Sequence, residues 1–467
     1  MENMTVWRAA ELCGGTICGS WENDRLLRNI VIDSRVVAPG DLFAAYRGER
    51  VDGHDYISAA FSRGAACCLA EHLPAGAEAP GPVIVVTDVQ KALERLAAAY
   101  RRQFSIPMVG ITGSVGKTTA KEMVASVLSQ RFRTLKTEGN LNNQIGVPMM
   151  LSRLESGHQA AVIEMGISGF GEMHTLAEMV RPTAAVYTVI GHAHLEFLHD
   201  LDGVLRAKTE MLDLMPEDAP LVMNGDDEKL RGFRCRQRKI LYGLGCGNDF
   251  RAEHMVADGE GIFCDIITPE SRIPVHIPAF GQHHVYAALA AAAVGALHGL
   301  SDEEIVAGVA GFRNVGRRGE LVQTGFLTMI DDSYNANPDS VKSGIDSLLQ
   351  LPGERHLCIL GDMLELGKGS GQMHAEVGRY AAEKGADLVL TVGQYGSFTA
   401  QGAGSAGRCY DSRDALIAAL PQLLQEGDCL LVKASKGSHF ELVSAAVRKI
   451  AELRTGGTPQ SGEKDCR

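Results

Sequence analysis

The fold is decided by one stretch of the chain, Gly110-Ile-Thr-Gly-Ser-Val-Gly-Lys-Thr-Thr119. An apolar run over 107–111 leads into this stretch, and a helical pattern from Lys117 to about Arg131 follows it. A glycine-rich turn between a strand and a helix directs free N–H groups and the positive end of the helix dipole at whatever the turn holds, which suits phosphate. The sequence therefore predicts a phosphate-binding loop at the start of a parallel α/β domain.

Two side chains of this loop have the chemistry needed to bind a nucleoside triphosphate and its metal ion. The Lys117 ammonium can bridge the β- and γ-phosphates, and the Thr118 hydroxyl can ligate Mg²⁺. The general loop pattern requires glycine at position 111, whereas the glycines here are Gly110 and Gly113. The alternative interpretation is a glycine-rich turn that carries a surface lysine. The flanking strand and helix favour the nucleotide site.

Length and composition indicate a globular protein of several domains. The chain has 467 residues, of which 45% are hydrophobic and 22% are charged, and this length predicts about three domains. The formal net charge is -12 at pH 7. Because an acidic surface repels nucleic-acid phosphate, a role in binding DNA or RNA is disfavoured.

Cysteine usage predicts a cytoplasmic location. The 11 cysteines are scattered and form no CxxC pair, which fits reduced thiols better than a disulfide framework or a zinc site. The segment 1–15 lacks the apolar core of a signal peptide. No uncharged apolar stretch reaches about 18 residues, so no membrane span is expected. The Ala-rich run from Val285 to Leu297 is predicted to be a buried helix.

Strand-like runs alternate with helical patterns along most of the chain, which predicts parallel α/β units. The predicted fold class is therefore α/β, with three domains. The units are 1–87, a small α/β domain; 88–104, a linker helix; 105–318, a central nucleotide-binding domain; 319–453, a second parallel α/β domain; and 454–467, a disordered tail.

Two residues follow predicted strands, at the edge where open parallel sheets bind ligands. Glu164 follows the apolar run 160–163, and a carboxylate there can hold a Mg²⁺ that bridges ATP phosphates. His194 lies just past the run 184–190. The alternatives are a solvated glutamate at the first position and a structural histidine at the second.

Lys208 interrupts the apolar stripe of a predicted helix over 201–212, for which Asp200 or Asp202 could be the N-cap. A lysine in that position must snorkel to the surface, pair, lower its pKa or be modified. Snorkelling is the simplest alternative, and the residue pattern alone leaves the choice open.

Further motifs occur along the chain. In the first half they are Asp33-Ser-Arg35, Pro39-Gly-Asp-Leu-Phe43, Gly48-Glu-Arg50, Asp52-Gly-His54, Gly139-Asn-Leu-Asn-Asn143, Ile145-Gly-Val-Pro148 and Glu164-Met-Gly166. In the second half they are Ala193-His-Leu-Glu196, Ala207-Lys208, Asp331-Asp-Ser-Tyr-Asn-Ala-Asn-Pro338, Leu360-Gly-Asp-Met-Leu-Glu-Leu-Gly367 and Lys433-Ala-Ser-Lys-Gly437. Together with the loop, these motifs resemble those of the Mur ligases of peptidoglycan synthesis over nearly the whole chain.

The resemblance implies an ATP-dependent ligase that joins D-alanyl-D-alanine to UDP-N-acetylmuramoyl-tripeptide through an acyl phosphate. This reaction is the last cytoplasmic step in making the pentapeptide precursor. The implied architecture is an N-terminal UDP-substrate-binding domain, a central ATPase domain and a Rossmann-like C-terminal domain. The implied cofactors are ATP and two Mg²⁺ ions, with a carbamylated lysine at Lys208. A monomer is expected, without nucleic-acid or membrane partners.

The resemblance also implies roles for residues at matching positions. The catalytic residues are Lys117, His194 and Lys208, and the metal ligands are Thr118, Glu164, His194 and Lys208. The nucleotide-binding residues are Thr112, Gly113, Ser114, Val115, Gly116, Lys117, Thr118, Thr119, Arg318, Asp332, Asn335 and Asn337. The substrate-binding residues are Ser34, Arg35, Gly48, Asp52, Asn140 and Asn143. For the family's arginine position, Arg318 is favoured over Arg317.

Two positions depart from the family pattern. The family usually has Asn at both positions, one of which normally contacts adenine, whereas this chain has His284 and Ala287. The alternatives are another amide ligase of the Mur or folylpolyglutamate type and a non-catalytic UDP-peptide-binding protein. The motifs over 33–54 favour a UDP-peptide enzyme over a folate enzyme. The sequence leaves open lysine or diaminopimelate as the third peptide residue, and a dipeptide or a depsipeptide as the acceptor.

Overall fold

The computed structural model describes residues 1–19, 25–48, 51–73, 79–258 and 260–455, which form three sheets. The strands of the first sheet are β1 (Thr16–Cys18), β2 (Ile30–Val31), β3 (Leu42–Ala44), β4 (Cys67–Ala70) and β5 (Val83–Val85). They lie in the order β1-β5-β4-β3-β2 and are parallel except for the β1–β5 pair. The helices α1 (Val6–Cys13) and α2 (Ile57–Ser62) belong to this unit.

The central sheet has nine strands. They are β6 (Met108–Thr112), β7 (Thr134–Lys136), β8 (Ala160–Glu164), β9 (Ala184–Tyr187), β10 (Leu221–Asn224), β11 (Lys239–Gly243), β12 (Phe250–Ala257), β13 (Ile262–Ile267) and β14 (Arg272–Ile277). Their order is β14-β13-β12-β11-β10-β9-β6-β8-β7. The strands from β7 to β12 are parallel, as predicted.

An antiparallel extension, β12-β13-β14, was not predicted. Buried and more exposed residues alternate along much of these strands. The segment therefore lacks the continuous apolar runs that mark the inner parallel strands.

Nine helices of the described chain surround the central sheet. They are α3 (Val89–Arg101), α4 (Lys117–Leu128), α5 (Gly146–Leu151), α6 (Glu172–Val180), α7 (Leu195–Leu198), α8 (Leu201–Thr209), α9 (Glu228–Gly232), α10 (Gln282–Leu297) and α11 (Asp302–Ala310). The predicted linker helix is α3, which packs against α1 on one side and against α5 and α6 on the other. The predicted buried helix is α10, which packs on α4 in the core of this domain.

The third sheet is also mostly parallel. Its strands are β15 (Glu320–Gln323), β16 (Thr328–Asp332), β17 (Arg355–Leu360), β18 (Leu388–Val392), β19 (Gly407–Tyr410) and β20 (Asp428–Lys433). Its helices are α12 (Pro338–Leu348), α13 (Ser370–Lys384), α14 (Gly396–Gly402), α15 (Arg413–Leu423) and α16 (Glu441–Arg454). The order is β15-β16-β20-β17-β18-β19, and only the β15–β16 pair is antiparallel.

The predicted α/β class is confirmed, while the domain boundaries stay predictions. Helix α4 ends at Leu128 and residues 129–131 form a turn, so the predicted end near Arg131 was too late. Helix α8 ends at Thr209 and continues as a 3₁₀ turn. Of the predicted tail, 456–467 lies outside the described residues. No helix in the described part of the chain has the length and apolar character to cross a membrane.

Candidate active site

The phosphate loop joins β6 to α4 through two glycines with positive φ. Gly113 has φ 147° and Gly116 has φ 82°. A Cβ on Gly113 would collide with the hydroxyl of Thr188, so only glycine allows the loop to approach the strand end this closely. The turn therefore directs the N-terminus of α4 into the cleft at the carboxyl edge of the sheet.

The segment that follows β9 holds the loop in place. The Ser114 N–H donates to the carbonyl of Val189 at 2.7 Å, and the Ser114 hydroxyl donates to the carbonyl of Gly191 at 3.0 Å. The Thr188 hydroxyl donates to the carbonyl of Val115 at 2.6 Å. The loop is thus fixed from β9 as well as from β6.

Lys117 lies along the loop itself. Its Nζ donates to the carbonyl of Gly113 at 2.8 Å. Burial lowers the pKa of Lys117; the Glu164 carboxylate opposes this shift, and the Arg318 cation adds to it. The ammonium is therefore poorly solvated, which makes an anionic partner in the cleft favourable.

Glu164, the last residue of β8, meets Thr118 at the floor of the cleft. The Thr118 hydroxyl donates to Oε2 of Glu164 at 2.9 Å. The Asn142 amide donates to Oε1 at 2.8 Å. Glu164 is only 1% exposed, so the alternative of a solvated glutamate is wrong.

A buried lysine on α4 fixes the backbone beside Glu164. The Glu164 N–H donates to the hydroxyl of Thr137 at 2.9 Å, and Nζ of Lys121 donates to the carbonyl of Thr137 at 2.6 Å. Lys121 also pairs with Glu122 at 2.7 Å. These contacts hold the carboxylate at the strand end.

The Thr118–Glu164 pair fits a Mg²⁺ ion. A hydroxyl and a carboxylate supply the oxygen ligands that this cation prefers. Within the described ranges, no group of three or more His, Cys, Asp or Glu side chains is arranged to hold a metal. Any metal centre in this cleft must therefore include other donors, such as the Thr118 hydroxyl, phosphate oxygens or water.

His194 lies where the central and third sheets meet. It has φ 56° and immediately precedes α7. Its Nδ1 contacts Oε2 of Glu365, which lies in the loop after β17. The Glu196 N–H donates to the carbonyl of Glu365 at 3.1 Å. The histidine thus bridges two domains, and its Nε2 is the nitrogen available for another ligand.

A second bridge to the third domain lies two residues earlier. The His192 N–H donates to Oδ2 of Asp339 at 2.6 Å, and the His192 ring Nδ1 lies 3.1 Å from the same oxygen. A Cβ on Gly191 would collide with this carboxylate. Asp339 lies in the first turn of α12, so the contact joins α12 to the segment after β9.

Lys208 is buried, as its place on an apolar stripe predicts. It is 1% exposed and lies on α8, which Asp200 caps through the N–H of Gly203 at 2.7 Å. Burial lowers the pKa of Lys208 well below its ordinary value, and the nearby Lys117 cation adds to this effect. The lysine does not snorkel to the surface, so the simplest alternative is wrong.

A cavity of about 150 Å³ lies between the loop and the third domain. Predicted nucleotide-binding residues that line it are Ser114, Val115, Gly116, Lys117, Thr118, Thr119, Arg318, Asp332, Asn335 and Asn337. The Arg318 guanidinium lies 3.9 Å above the ring of Tyr334. Lys433 pairs with Asp332 and donates to the carbonyl of Asn335 at 2.9 Å.

Some predicted nucleotide-binding side chains are engaged elsewhere. The Asn337 amide oxygen caps α12 by accepting from the N–H of Ser340 at 2.8 Å. Thr112 is fully buried at the end of β6. The Asn337 oxygen can leave α12 only by breaking this cap, and the buried Thr112 does not line the cavity.

A second cavity, of about 350 Å³, adjoins the first. It lies beside positions 284 and 287, where the chain departs from the family pattern. Ala287 and His283 line it, together with Tyr286 and Asp226. The neighbouring His284 is fully buried, and its Nδ1 donates to the carbonyl of Phe280 at 2.7 Å. His284 therefore serves the packing of α10, while Ala287 leaves space at the cavity wall.

Family models and relatives match this chain along its length. A model of the Mur ligase family catalytic domain matches residues 27–101, one of the Mur ligase middle domain matches 111–295, and one of the Mur ligase glutamate ligase domain matches 317–436. The UDP-N-acetylmuramoyl-tripeptide--D-alanyl-D-alanine ligase of Bacillus subtilis is 35% identical over 448 residues, covering 94% of this chain and 97% of that protein. The chain belongs to the Mur ligase family. The enzyme of the same name from Escherichia coli is 35% identical over 456 residues, covering 96% and 99%.

Solved structures of Mur ligases have the same fold as this chain. MurF from Acinetobacter baumannii superposes with a TM-score of 0.87 at 31% identity, covering 97% of this chain and 99% of that one. MurF from Thermotoga maritima, solved in complex with ADP, gives 0.80 at 26% identity, covering 93% and 100%. A folylpolyglutamate synthase from Mycobacterium tuberculosis gives 0.61 at 17% identity, covering 79% and 95%, and shares the fold alone.

The predicted substrate-binding residues of this Mur ligase lie in two places. Ser34 and Arg35 form a 3₁₀ turn after β2, where Arg35 pairs with Asp33 at 2.7 Å. Gly48 donates its N–H to the carbonyl of Val51 at 2.9 Å. Asp52 accepts from the His54 N–H at 3.0 Å. All four residues lie in loops or 3₁₀ turns of the first domain.

The other two predicted substrate-binding residues precede α5. Asn140 is exposed, and the Asn143 side chain accepts from the N–H of Gly146 at 2.9 Å. Between them lies Asn142, which binds Glu164. This loop therefore carries both predicted substrate-binding residues and a direct contact to the metal-ligand candidate Glu164.

Several residues of the site were not predicted from the sequence. They are Lys121, Thr137, Asn142, Asp339 and Glu365. Asn142 and Glu365 occur in motifs of this Mur ligase, but no local pattern indicates which residue each contacts. Lys121 could have been noticed as one of only two charged residues in the stretch 118–125 of the predicted helix.

Burial of His284 predicts a pH-dependent stability. Burial and the adjacent His283 hold the pKa of His284 well below 6.5, so the unfolded chain binds a proton that the folded chain excludes. Above pH 6.5 the residue is neutral in both states and does not affect the free energy of unfolding. Below pH 6.5 the unfolded chain takes up a proton, so the free energy of unfolding falls by up to about 1.4 kcal/mol per pH unit. We expect His284→Asn to reduce the fall in unfolding free energy between pH 6.5 and 5.5, measured by urea denaturation. His439→Asn, at an exposed site, should leave the wild-type slope unchanged, and an unchanged slope in His284→Asn would contradict the assignment.

Proposed function

We propose that this chain is an ATP-dependent ligase that joins D-alanyl-D-alanine to UDP-N-acetylmuramoyl-tripeptide through an acyl phosphate. Relatives that carry this name match it over nearly their whole length. The structural observation that carries the proposal is the cleft in which Lys117 and the Thr118–Glu164 pair face Arg318 and Asp332. A phosphate loop on one domain and a polar wall on another suit a nucleotide held between them.

Activation of the acid is the difficult step. A carboxylate resists attack by an amine because its leaving group would be oxide. Transfer of the γ-phosphoryl group of ATP to the terminal carboxylate of the tripeptide turns that oxygen into a good leaving group. The amine of the dipeptide then attacks the acyl carbon, an amide bond forms, and inorganic phosphate leaves with the oxygen.

The chain's own charges assist the transfer. The N-terminus of α4 supplies backbone N–H groups to the phosphates. Lys117 and Arg318 supply cations that stabilise the negative charge of the transferring phosphoryl group. Both cations adjoin one cavity, so a triphosphate there would contact both.

Two Mg²⁺ ions complete the proposed site. Thr118 and Glu164 would hold one ion, and His194 with a carbamylated Lys208 would hold the other. When bound, Mg²⁺ neutralises charge on the phosphoryl oxygens. The His194 ring and an anionic oxygen from Lys208 would suit the second ion.

Carbamylation of Lys208 is supported by its surroundings. The neutral amine attacks carbon dioxide, and its nitrogen then loses a proton, which gives an anionic carbamate. Burial and the Lys117 cation favour the neutral amine at Lys208. The carbamate charge would in turn compensate the positive charge of Lys117.

The first domain is proposed to bind the UDP end of the substrate through Ser34, Arg35, Gly48 and Asp52. Asn140 and Asn143 would contact the peptide arm on its way to the cleft. The cytoplasm is the proposed location, and a monomer is the proposed form. The substrate assignments rest on the match of residues to the family motifs, and the proposed location rests on the scattered cysteines, which form no CxxC pair.

Contact between the domains should protect the acyl phosphate from hydrolysis. The His192–Asp339 and His194–Glu365 contacts close one side of the cleft. We expect Asp339→Ala to lower kcat by about tenfold or more, because a hydrogen bond to a charged group is worth about 1.5–3 kcal/mol. Asp339→Asn, which keeps an acceptor for the His192 N–H, should retain most activity. The measurement is kcat with saturating substrates, together with the thermal unfolding midpoint.

A matched control for Asp339 is available on the same helix. Asp346 accepts from the Tyr380 hydroxyl at 2.8 Å within the third domain. Asp346→Ala should leave kcat near the wild-type value even if it lowers the unfolding midpoint. Equal losses of kcat in Asp339→Ala and Asp346→Ala would show that the bridge has no special role.

Coupled release of ADP tests the function directly. The enzyme is supplied with ATP, Mg²⁺, UDP-N-acetylmuramoyl-tripeptide and D-alanyl-D-alanine, and each is omitted in turn. We expect sustained turnover only when all are present. Turnover with a folate and glutamate would contradict the proposal, as would binding of the UDP-tripeptide without any ADP release.

A further inference from the structure

His54 is a buried histidine of the first domain to which the proposed function gives no role. It is 3% exposed and lies in a 3₁₀ turn over 53–56. The turn directly follows Asp52, one of the residues proposed to bind the UDP end of the substrate. A buried ring in this place acts on a substrate through the groups that it contacts.

Both nitrogens of the His54 ring have a partner. Nδ1 lies 2.6 Å from Oδ1 of Asp52. On the other side of the ring, the Glu71 N–H donates to Nε2 at 3.0 Å. Because Nε2 accepts a hydrogen bond it carries no proton, so the ring proton lies on Nδ1 and is donated to Asp52. The contacts therefore assign one neutral tautomer to His54.

The Asp52 carboxylate is oriented by His54. Its Oδ1 also accepts from the His54 backbone N–H at 3.0 Å, so one residue supplies two donors to this oxygen. These bonds lower the pKa of Asp52, and the backbone N–H contributes most. The other oxygen, Oδ2, lies 4.0 Å from Nε of Arg47 and is the one left for a donor of the substrate. His54 thus holds Asp52 ionised and in one orientation.

The far end of this contact is itself fixed in the fold. Glu71 directly follows β4, the middle strand of the first sheet. Its carboxylate accepts from the N–H of Val89, the first residue of α3, at 3.3 Å. Helix α3 packs on α5 and α6 of the central domain. His54 therefore ties Asp52 to the place where the first sheet meets the linker helix.

The turn that carries His54 packs tightly against its neighbours. The Gly53 N–H donates to the carbonyl of Tyr46 at 2.7 Å, and a Cβ on Gly53 would also lie 2.7 Å from that oxygen. The His54 ring stacks on the ring of His72, with centroids 4.1 Å apart and planes 11° from parallel. The ring is thus held by stacking as well as by its two hydrogen bonds, and it has little freedom to leave Asp52.

We propose that His54 is a positioning residue for the UDP-linked substrate. Its ring holds the Asp52 carboxylate in the orientation that binds the UDP end of UDP-N-acetylmuramoyl-tripeptide. The inference rests on the proposed function, because that function supplies the UDP-linked substrate. Since His54 has no part in the proposed chemistry, its loss should weaken the binding of this substrate and leave the chemical step unchanged.

His54→Ala tests the role. We expect the KM for the UDP-tripeptide to rise by about tenfold, the effect of losing the two ring hydrogen bonds, while kcat and the KM for ATP stay unchanged. His54→Gln keeps an acceptor near the position of Nε2, and His54→Asn keeps a donor near that of Nδ1, so each should restore part of the affinity.

Val83→Ala is the control for lost stability, because it shortens a buried side chain in the core of the same domain. It should lower the thermal unfolding midpoint and keep the wild-type KM for the UDP-tripeptide. An equal rise of this KM in Val83→Ala and His54→Ala would overturn the proposal, as would an unchanged KM in His54→Ala.

A double-mutant cycle with Asp52 tests whether His54 acts through that residue. In the Asp52→Ala background, His54→Ala should have little further effect on the dissociation constant of the UDP-tripeptide. Titration calorimetry measures this constant without turnover. Equal effects of His54→Ala in the two backgrounds would overturn the proposal. Wild type that binds the UDP-tripeptide but releases no ADP with the full set of substrates would refute the proposed function itself, which is a separate result.

Discussion

Lys117→Ala is expected to reduce ADP formation to a trace. The Lys117 ammonium lies on the phosphate loop and is poorly solvated there. Its loss removes a preorganised cation from the transferring phosphoryl group, for which we expect kcat to fall by about 1000-fold. The measurement is coupled ADP release with saturating UDP-tripeptide and dipeptide.

The fold of Lys117→Ala should remain intact. Burial already lowers the pKa of Lys117, so the charge costs stability and its removal should not lower the thermal unfolding midpoint. Lys117→Arg should also be severely impaired, because a guanidinium does not reproduce the compact charge of an ammonium. Lys91→Ala, at an exposed lysine on α3, is the control and should turn over normally. Near-normal turnover by Lys117→Ala would refute the assignment of the loop.

Lys208→Ala is expected to lower kcat by about 100-fold or more, through loss of anionic oxygens near the transferring phosphoryl group. A small carboxylic acid such as acetate should partly restore activity, since its carboxylate can occupy the space left by the carbamate. Turnover is measured against acetate concentration, with chloride at equal ionic strength as the comparison.

Two outcomes would contradict the carbamate at Lys208. Full activity of Lys208→Ala without any acid would show that the lysine has no chemical role. Acceleration of Lys117→Ala by acetate to the same degree would show that the acid acts elsewhere. Wild type should carry an extra carbamate signal by ¹³C NMR in the presence of ¹³C-labelled bicarbonate, and Lys208→Ala should lack it.

Local patterns predicted the parts of the site that depend on local structure. The phosphate loop was predicted because its glycines, its lysine and the flanking strand and helix are consecutive. Glu164 was predicted because it closes an apolar run, and Lys208 because it breaks one. In each case the signal lies within one element of secondary structure.

The parts that were missed depend on contacts between distant segments. Asp339 meets His192 and Glu365 meets His194 only because the third domain folds back onto the segment after β9. No local sequence pattern indicates that residues so far apart in the chain are in contact. The antiparallel extension β12-β13-β14 was missed for a different reason, since its partly exposed strands resemble polar loops in composition.

The segment after β9 has a consequence for the order of events in turnover. Over 188–196 it hydrogen-bonds the phosphate loop, carries His194 and reaches the third domain at two points. Because this segment is short, a movement at one of these contacts must displace the other contacts. We therefore expect ADP to leave only when the third domain moves away from the central domain. Domain opening, rather than the chemical step, would then limit the rate of turnover.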